Sequence, residues 1–119
     1  MSCTFIEYPK CTTCQRAKKW LEENGIPFED RHIVEDNPTA EELREWHQRS
    51  GLPLKRFFNT SGLVYKSLGL KDKLAQMSEE EQYALLATNG MLVKRPLFIC
   101  DKTVLVGFRP AEWDCLKRE

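Results

Sequence analysis

Cys11-Thr12-Thr13-Cys14 places two thiols two residues apart, where an apolar run gives way to a helical pattern. Such a C-x-x-C pair suits three readings: half of a zinc clamp, a redox couple, or a reduced pair without chemistry. Structural zinc takes about four ligands, usually as two close pairs. Cys3, Cys100 and Cys115 stand alone in the sequence, and His32 and His47 form no second pair. The metal reading is therefore set aside. A phosphatase-type loop needs arginine six positions after its cysteine, where Ala17 and Trp20 stand instead. Cys3, Cys100 and Cys115 read as small core hydrophobes rather than reactive groups. His32 and His47 read as solvent-facing or hydrogen-bonded.

The pair needs elements to hold it. Cys3–Tyr8, "CTFIEY", reads as a short buried strand, followed by a turn at Pro9-Lys10. Ala17, Trp20 and Leu21 then recur at helical spacing, with Gly25 stopping the helix and Pro27 beyond it. "FEDRHIV" from Phe28 alternates like a second strand, and a right-handed crossover makes the two strands parallel. Cys11 thus falls at a helix N-terminus, where free N–H groups and the dipole favour an anion. Lys10, Arg16, Lys18 and Lys19 add positive charge nearby. Such surroundings lower a thiol pKa from about 8.5 to roughly 3.5–7.5. Cys14, one turn on, is set to attack a mixed disulfide formed on Cys11.

Further along, Thr39 with Glu42 makes a capping box ahead of Leu43 and Trp46, a segment ended by Gly51 and Pro53. "NTSGLVYKSLGL" reads as loop and short helical turns. Ser78 with Glu81 opens another helix through Leu85 and Leu86 towards Gly90. "PLFIC" and "TVLVGF" flank Asp101-Lys102 so closely that only an antiparallel hairpin joins them. A last helix begins near Pro110 and puts Trp113 and Leu116 on one face. The order βαβ, helical block, ββα, with C-x-x-C at the first strand-to-helix junction, predicts an α/β thioredoxin-like fold. We expect a four-stranded mixed sheet with an enlarged helical insert between strands two and three. No repeat or linker divides the chain, so residues 1–119 are expected to form one domain.

The bulk composition fits. Of 119 residues, 41% are apolar and 30% charged, the profile of a globular protein. Lys+Arg and Asp+Glu are both 18, so no global basic field holds nucleic acid by its phosphates. No apolar stretch reaches bilayer length, and the opening residues lack a secretory pattern, so a cytoplasmic protein is expected. Five cysteines, an odd number, fit poorly with a secreted disulfide framework.

Three stretches carry a family resemblance: "YPKCTTCQRAKKWLEENGIPFEDR", "FFNTSGLVYKSLGL" and "GMLVKRPLFICDKTVLVGFRPAEW". Together they resemble the ArsC/Spx family, the glutaredoxin-related group that contains arsenate reductases and the Spx regulators. The resemblance implies that Pro96 is the cis-proline beside the redox cysteine, and that Arg95 and Arg109 hold an oxyanion. It also shows two departures. Asn59 stands where the reductases carry a third oxyanion-binding arginine. Cys14 stands where they carry serine and rely on glutathione and glutaredoxin for resolution.

The internal dithiol is instead similar to Spx, a disulfide-switched protein that binds the C-terminal domain of RNA polymerase α. "GFRP" looks like the reductase end of the family. The implied function is an arsenate-reductase-like cytoplasmic thiol oxidoreductase, with Cys11 as nucleophile, Cys14 as resolving thiol, and Arg95, Arg109 and Pro96 at the anion site. The alternative is an Spx-like redox-sensing transcriptional regulator. No tightly bound cofactor is implied, and glutathione or a thioredoxin/glutaredoxin system is the implied electron donor. The implied partner is a small oxyanion or a thiol/disulfide substrate, or RNA polymerase α in the alternative, without direct nucleic-acid or membrane contact.

Overall fold

The computed structural model describes residues 3–118; Met1, Ser2 and Glu119, the outer ends of the expected domain, lie outside the described residues. The described chain packs as two compact units. One contains the residues up to His32 and from Arg95 onward; the other is Ile33–Lys94.

The first unit opens with β1, Thr4–Glu7, which leads through Tyr8-Pro9-Lys10 into α1, Thr12–Glu23. Asn24 caps α1, and Gly25 at φ 64° turns the chain into β2, Glu29–His32. After the second unit the chain resumes with β3, Leu97–Ile99, and β4, Val104–Val106. The four strands form one sheet in the order β2-β1-β3-β4. β1 is parallel to β2 and antiparallel to β3, and β3 to β4 is antiparallel, so the sheet is mixed as expected. A short helix at Pro110–Trp113 runs on into a 3-10 turn over Asp114–Arg118.

Alternation puts Phe5, Phe98 and Leu105 on one sheet face. They pack with Ala17 and Leu21 of α1 and with Trp113 and Leu116 from the C-terminal turns. Trp113, fully buried, meets the rings of Phe5, Phe98, Phe108 and Trp20 within 6.4 Å, and its indole N–H donates to the Gly107 carbonyl at 3.0 Å. This satisfies the one polar atom that such a large buried ring carries. The arrangement is the thioredoxin-like α/β fold.

The second unit is the helical insert. Its α2, Ala40–Ser50, and α5, Glu79–Ala87, both start with complete capping boxes, Thr39/Glu42 and Ser78/Glu81. Between them lie α3, Leu63–Ser67, and α4, Leu70–Lys73, the short turns that "NTSGLVYKSLGL" predicts. His47 faces Tyr83 Oη at 2.7 Å, a hydrogen-bonded histidine as expected. Among the described residues, no helix is long and apolar enough to cross a membrane.

The isolated cysteines depart from the sequence reading. Cys100 is a buried member of the core and Cys3 packs against it, as expected, but the two are also bonded to each other. The physical reason is the β1–β3 register: Thr4 pairs with Ile99, so the next position out brings Cys3 opposite Cys100. Cys115 is exposed, because Trp113 and Leu116 take the inward positions of the C-terminal turns.

Candidate active site

Cys11 sits at the N-cap of α1 in an extended conformation, φ −85° and ψ 121°. Its N–H donates to the Tyr8 carbonyl at 2.9 Å, and its own carbonyl accepts from Gln15 N–H at 3.0 Å. The Gln15 side chain donates back to the Pro9 carbonyl at 2.9 Å, which fixes the turn between β1 and α1. Cys11 is half-buried, whereas Cys14, one turn deeper, is fully buried.

That difference in depth sets the two thiols apart chemically. Burial pushes the Cys11 thiol up, but hydrogen bonds from the Cys14 backbone and side chain and from Arg95, with the Arg95 charge, bring it below its ordinary value. Burial pushes the Cys14 thiol up to about 12, and the neighbouring Cys11 adds to the rise, against a smaller opposing effect of a Tyr8 backbone hydrogen bond. One sulfur is thus poised as a nucleophile while the other keeps its proton. Once Cys11 is tied up in a mixed disulfide, its share of the effect on Cys14 disappears and Cys14 ionises more readily.

Arg95 and Pro96 lie beside this pair. The Arg95–Pro96 peptide bond is cis, as expected. The Pro96 carbonyl accepts from Gly107 N–H at 2.8 Å, and Gly107, at φ 75°, adopts a conformation that glycine tolerates and L side chains resist. The Arg95 guanidinium stacks over the Tyr8 ring at 5.1 Å. Its Nε and Nη1 are shut off from solvent and have no hydrogen-bond partner among the described residues. Orphaned charged donors next to a low-pKa thiol form a receptor for an anion.

Arg109 is the second expected anion holder. It is exposed at the N-cap of the short helix at Pro110–Trp113, and its Nη1 lies 3.6 Å from Glu112. Asn59 belongs to the helical insert, where its N–H donates to the Leu92 carbonyl at 2.7 Å. Lys18 also acts differently from expectation. It faces the sheet, 2.8 Å from Asp30 and 3.6 Å from Glu7, so the cation that bears on Cys11 is Arg95.

Two features escaped the sequence reading. Tyr8 anchors Cys11 through its carbonyl, carries Arg95 on one side, and meets the His32 ring at 5.9 Å. Glu7, 5% exposed, ends β1 as a buried carboxyl. The signal for it was present: an acid closing an otherwise apolar strand needs a partner. Burial and the Asp30 carboxylate raise Glu7 to about 7, with Lys18 opposing. Asp30, itself partly desolvated, accepts hydrogen bonds from the Glu7 O–H and from Lys18 and stays below its ordinary value. Below about pH 7 Glu7 therefore keeps its proton and donates it to the ionised Asp30.

A stability prediction follows from the sign of that shift. Below about pH 4.5 Glu7 is protonated folded and unfolded, so its contribution is fully present and does not vary with pH. Between 4.5 and about 7 the unfolded chain releases this proton while the folded chain keeps it, so stability falls as pH rises. Glu7→Gln removes the effect while keeping a donor to Asp30. In urea titrations its stability relative to wild type should be about 2 kcal/mol more favourable at pH 8 than at pH 5. An equal difference at both pH values would show that Glu7 is not proton-linked to folding.

Among the described residues no group of His, Cys, Asp and Glu is placed to hold a metal ion. What the geometry offers is a thiol pair with graded reactivity and a guanidinium with open donors. A model of the ArsC family matches residues 6–116. In structure the chain is similar to an ArsC-family-related protein from Bacteroides fragilis, with a TM-score of 0.95 and 62% identity over 98% of each chain. It is also similar to a possible arsenate reductase from Streptococcus mutans UA159, with a TM-score of 0.88 and 47% identity over 95% of this chain and 96% of that one. In sequence it is 30% identical to the global transcriptional regulator Spx 1 of Bacillus cereus, over 92% of this chain and 82% of that protein. With the family model spanning the cysteine pair, the insert and the cis-proline segment alike, the chain belongs to the ArsC family.

Proposed function

We propose that the chain is a thiol oxidoreductase in which Cys11 attacks an anionic or disulfide substrate and Cys14 resolves the product. The observation that carries this reading is the low-pKa Cys11 beside Arg95, whose Nε and Nη1 donors are unsatisfied. With a disulfide substrate, the Cys11 thiolate attacks one sulfur, that S–S bond breaks, and the leaving sulfur departs as a thiolate. Cys14 then loses its proton and attacks Cys11 Sγ, which releases the second substrate thiolate and leaves Cys11 and Cys14 bonded. The substrate has gained two electrons, and a thiol donor such as glutathione or a thioredoxin/glutaredoxin system returns them to the pair. For an oxyanion substrate, Arg95 is the first holder and Arg109 the second, with Pro96 shaping the backbone beside the sulfur. Residues 1–119 act as one functional domain, in the cytoplasm.

A second reading is kept on one specific observation. The dithiol is internal, and the chain is similar over most of its length to an Spx regulator. In that reading the oxidised pair alters affinity for the C-terminal domain of RNA polymerase α. Titrating reduced and oxidised protein against the purified α domain, beside turnover assays with disulfide substrates and arsenate, separates the two. Turnover without α binding supports the oxidoreductase. Redox-dependent α binding without turnover overturns it in favour of the regulator.

A further inference from the structure

We propose that Cys3 and Cys100 form a second redox couple, independent of Cys11 and Cys14, that exchanges with a small carboxylate-bearing thiol seated in a cleft beside Cys3. The antiparallel β1–β3 ladder ends at Thr4 and Ile99, and the next pair outward is Cys3 and Cys100, bonded with their Cα atoms 4.3 Å apart. That separation matches the close, non-hydrogen-bonded pair of an antiparallel ladder, about 4.5 Å, in which facing side chains approach most nearly. The backbone groups agree. The Cys3 carbonyl accepts from Glu29 on the β2 side at 2.8 Å, and Cys100 N–H donates to Thr103 on the β4 side at 2.8 Å. These two hydrogen bonds point away from the partner strand's cysteine, and the sulfurs meet across the pair.

The two sulfurs are unequally reachable. Cys100 is 2% exposed within the core, whereas Cys3 is half-buried and lines a cleft of about 470 Å³. Such a volume suits a small molecule rather than a protein loop. The walls combine Ile26, Pro27 and Leu116 with the polar Asn24 and the charged Lys117. Lys117 lies 5.5 Å over the Trp20 ring and 3.4 Å from Asp114, so it is held at the rim. An apolar wall, a cation and an attackable sulfur fit a thiol that carries a carboxylate. This cleft opens at the start of β1, whereas Cys11 follows its end. The 4-residue strand between them, roughly 13 Å long, keeps the two couples from exchanging directly.

The exchange balances as ordinary thiol–disulfide chemistry. A thiolate in the cleft attacks Cys3 Sγ, the Cys3–Cys100 bond breaks, and Cys100 leaves and takes up a proton. A second thiolate attacks the incoming sulfur of the mixed disulfide and frees Cys3. Two small thiols become one small disulfide, and the protein gains two electrons and two protons. The reverse reaction, with a small-molecule disulfide as oxidant, closes the bond again.

The test uses a Cys11→Ser, Cys14→Ser, Cys115→Ser chain, which retains only Cys3 and Cys100 of the five cysteines. The chain is equilibrated with mixtures of reduced and oxidised glutathione, quenched with acid, alkylated in denaturant and weighed by mass spectrometry. Two labels should give way to none as the mixture turns oxidising, with an unchanged far-UV spectrum. Peptide mapping of wild-type protein reads the same pair with every cysteine in place. Adding Cys100→Ser should let Cys3 take up one glutathione, and adding Cys3→Ser instead should slow uptake at Cys100 at least about tenfold, since Cys100 is buried. Lys117→Glu should slow reaction with glutathione about threefold, but not with uncharged mercaptoethanol. Two labels in every mixture, no labels in any mixture, equal uptake at both cysteines, or no effect of Lys117→Glu overturns the proposal.

Discussion

In reduced protein at pH 7, iodoacetamide should label Cys11 at least about a hundredfold faster than Cys14. A thiol at about 12 is ionised to only about one part in 10⁵ at pH 7. Cys11, held below the usual 9.0, is ionised to about one part in 10² or more. Intrinsic nucleophilicity rises with pKa at a coefficient of about 0.4–0.5, which returns about twentyfold to Cys14. Ionisation and nucleophilicity together therefore leave Cys11 about fiftyfold ahead. The complete burial of Cys14 adds a barrier to access and carries the ratio past a hundred. Cys11→Ser should leave Cys14 nearly silent, whereas Cys14→Ser should leave Cys11 reactive with a modestly altered pH profile, because it loses a thiol hydrogen bond. Comparable labelling of the two cysteines in native protein would remove the division into nucleophile and resolving thiol.

The ordering of the two thiols was legible because its causes are local. Cys11 at a strand-to-helix junction, and Cys14 one turn inside, follow from an apolar strand, a Pro9-Lys10 turn and the spacing of Ala17, Trp20 and Leu21. Thr39/Glu42 and Ser78/Glu81 were legible for the same reason: a capping box is written in four consecutive residues. What the sequence could not display was pairing between distant segments. Cys3 and Cys100 are 97 residues apart, and their bond depends on the β1–β3 register, which no local pattern specifies. Lys18 belongs by sequence to a basic cluster around Cys11, yet its helical position turns it toward Glu7 and Asp30. Arg109 owes its expected place to the family resemblance alone; the structure shows it exposed, with its Nη1 3.6 Å from Glu112.

Arg95 should prove the larger of the two arginines in any anion binding. Its Nε and Nη1 are desolvated and have no partner among the described residues, so the cost of removing them from water is already present in the folded protein. An oxyanion that bonds them recovers that cost, and a charge-assisted hydrogen bond contributes about 1.5–3 kcal/mol. Protection of Cys11 from iodoacetamide by sulfate or arsenate reads this binding directly. Arg95→Met should weaken protection about ten- to a hundredfold and raise the pH at which Cys11 begins to react, since the guanidinium also stabilises the thiolate. Arg95→Lys should keep much of the effect on the thiolate but lose most of the protection, because an ammonium lacks the planar fork. Arg109→Ala, removing an exposed and already paired group, should change protection only a few-fold. Loss of protection through unfolding is separable, because Arg95 is only half-buried, two of its donors have no partner among the described residues, and Met keeps an apolar chain against the Tyr8 ring. The melting temperature of Arg95→Met should therefore stay near that of wild type while protection falls. If Arg109→Ala abolished protection and Arg95→Met spared it, the anion would lie at the surface rather than beside Cys11, and the oxyanion branch of the oxidoreductase reading would fail.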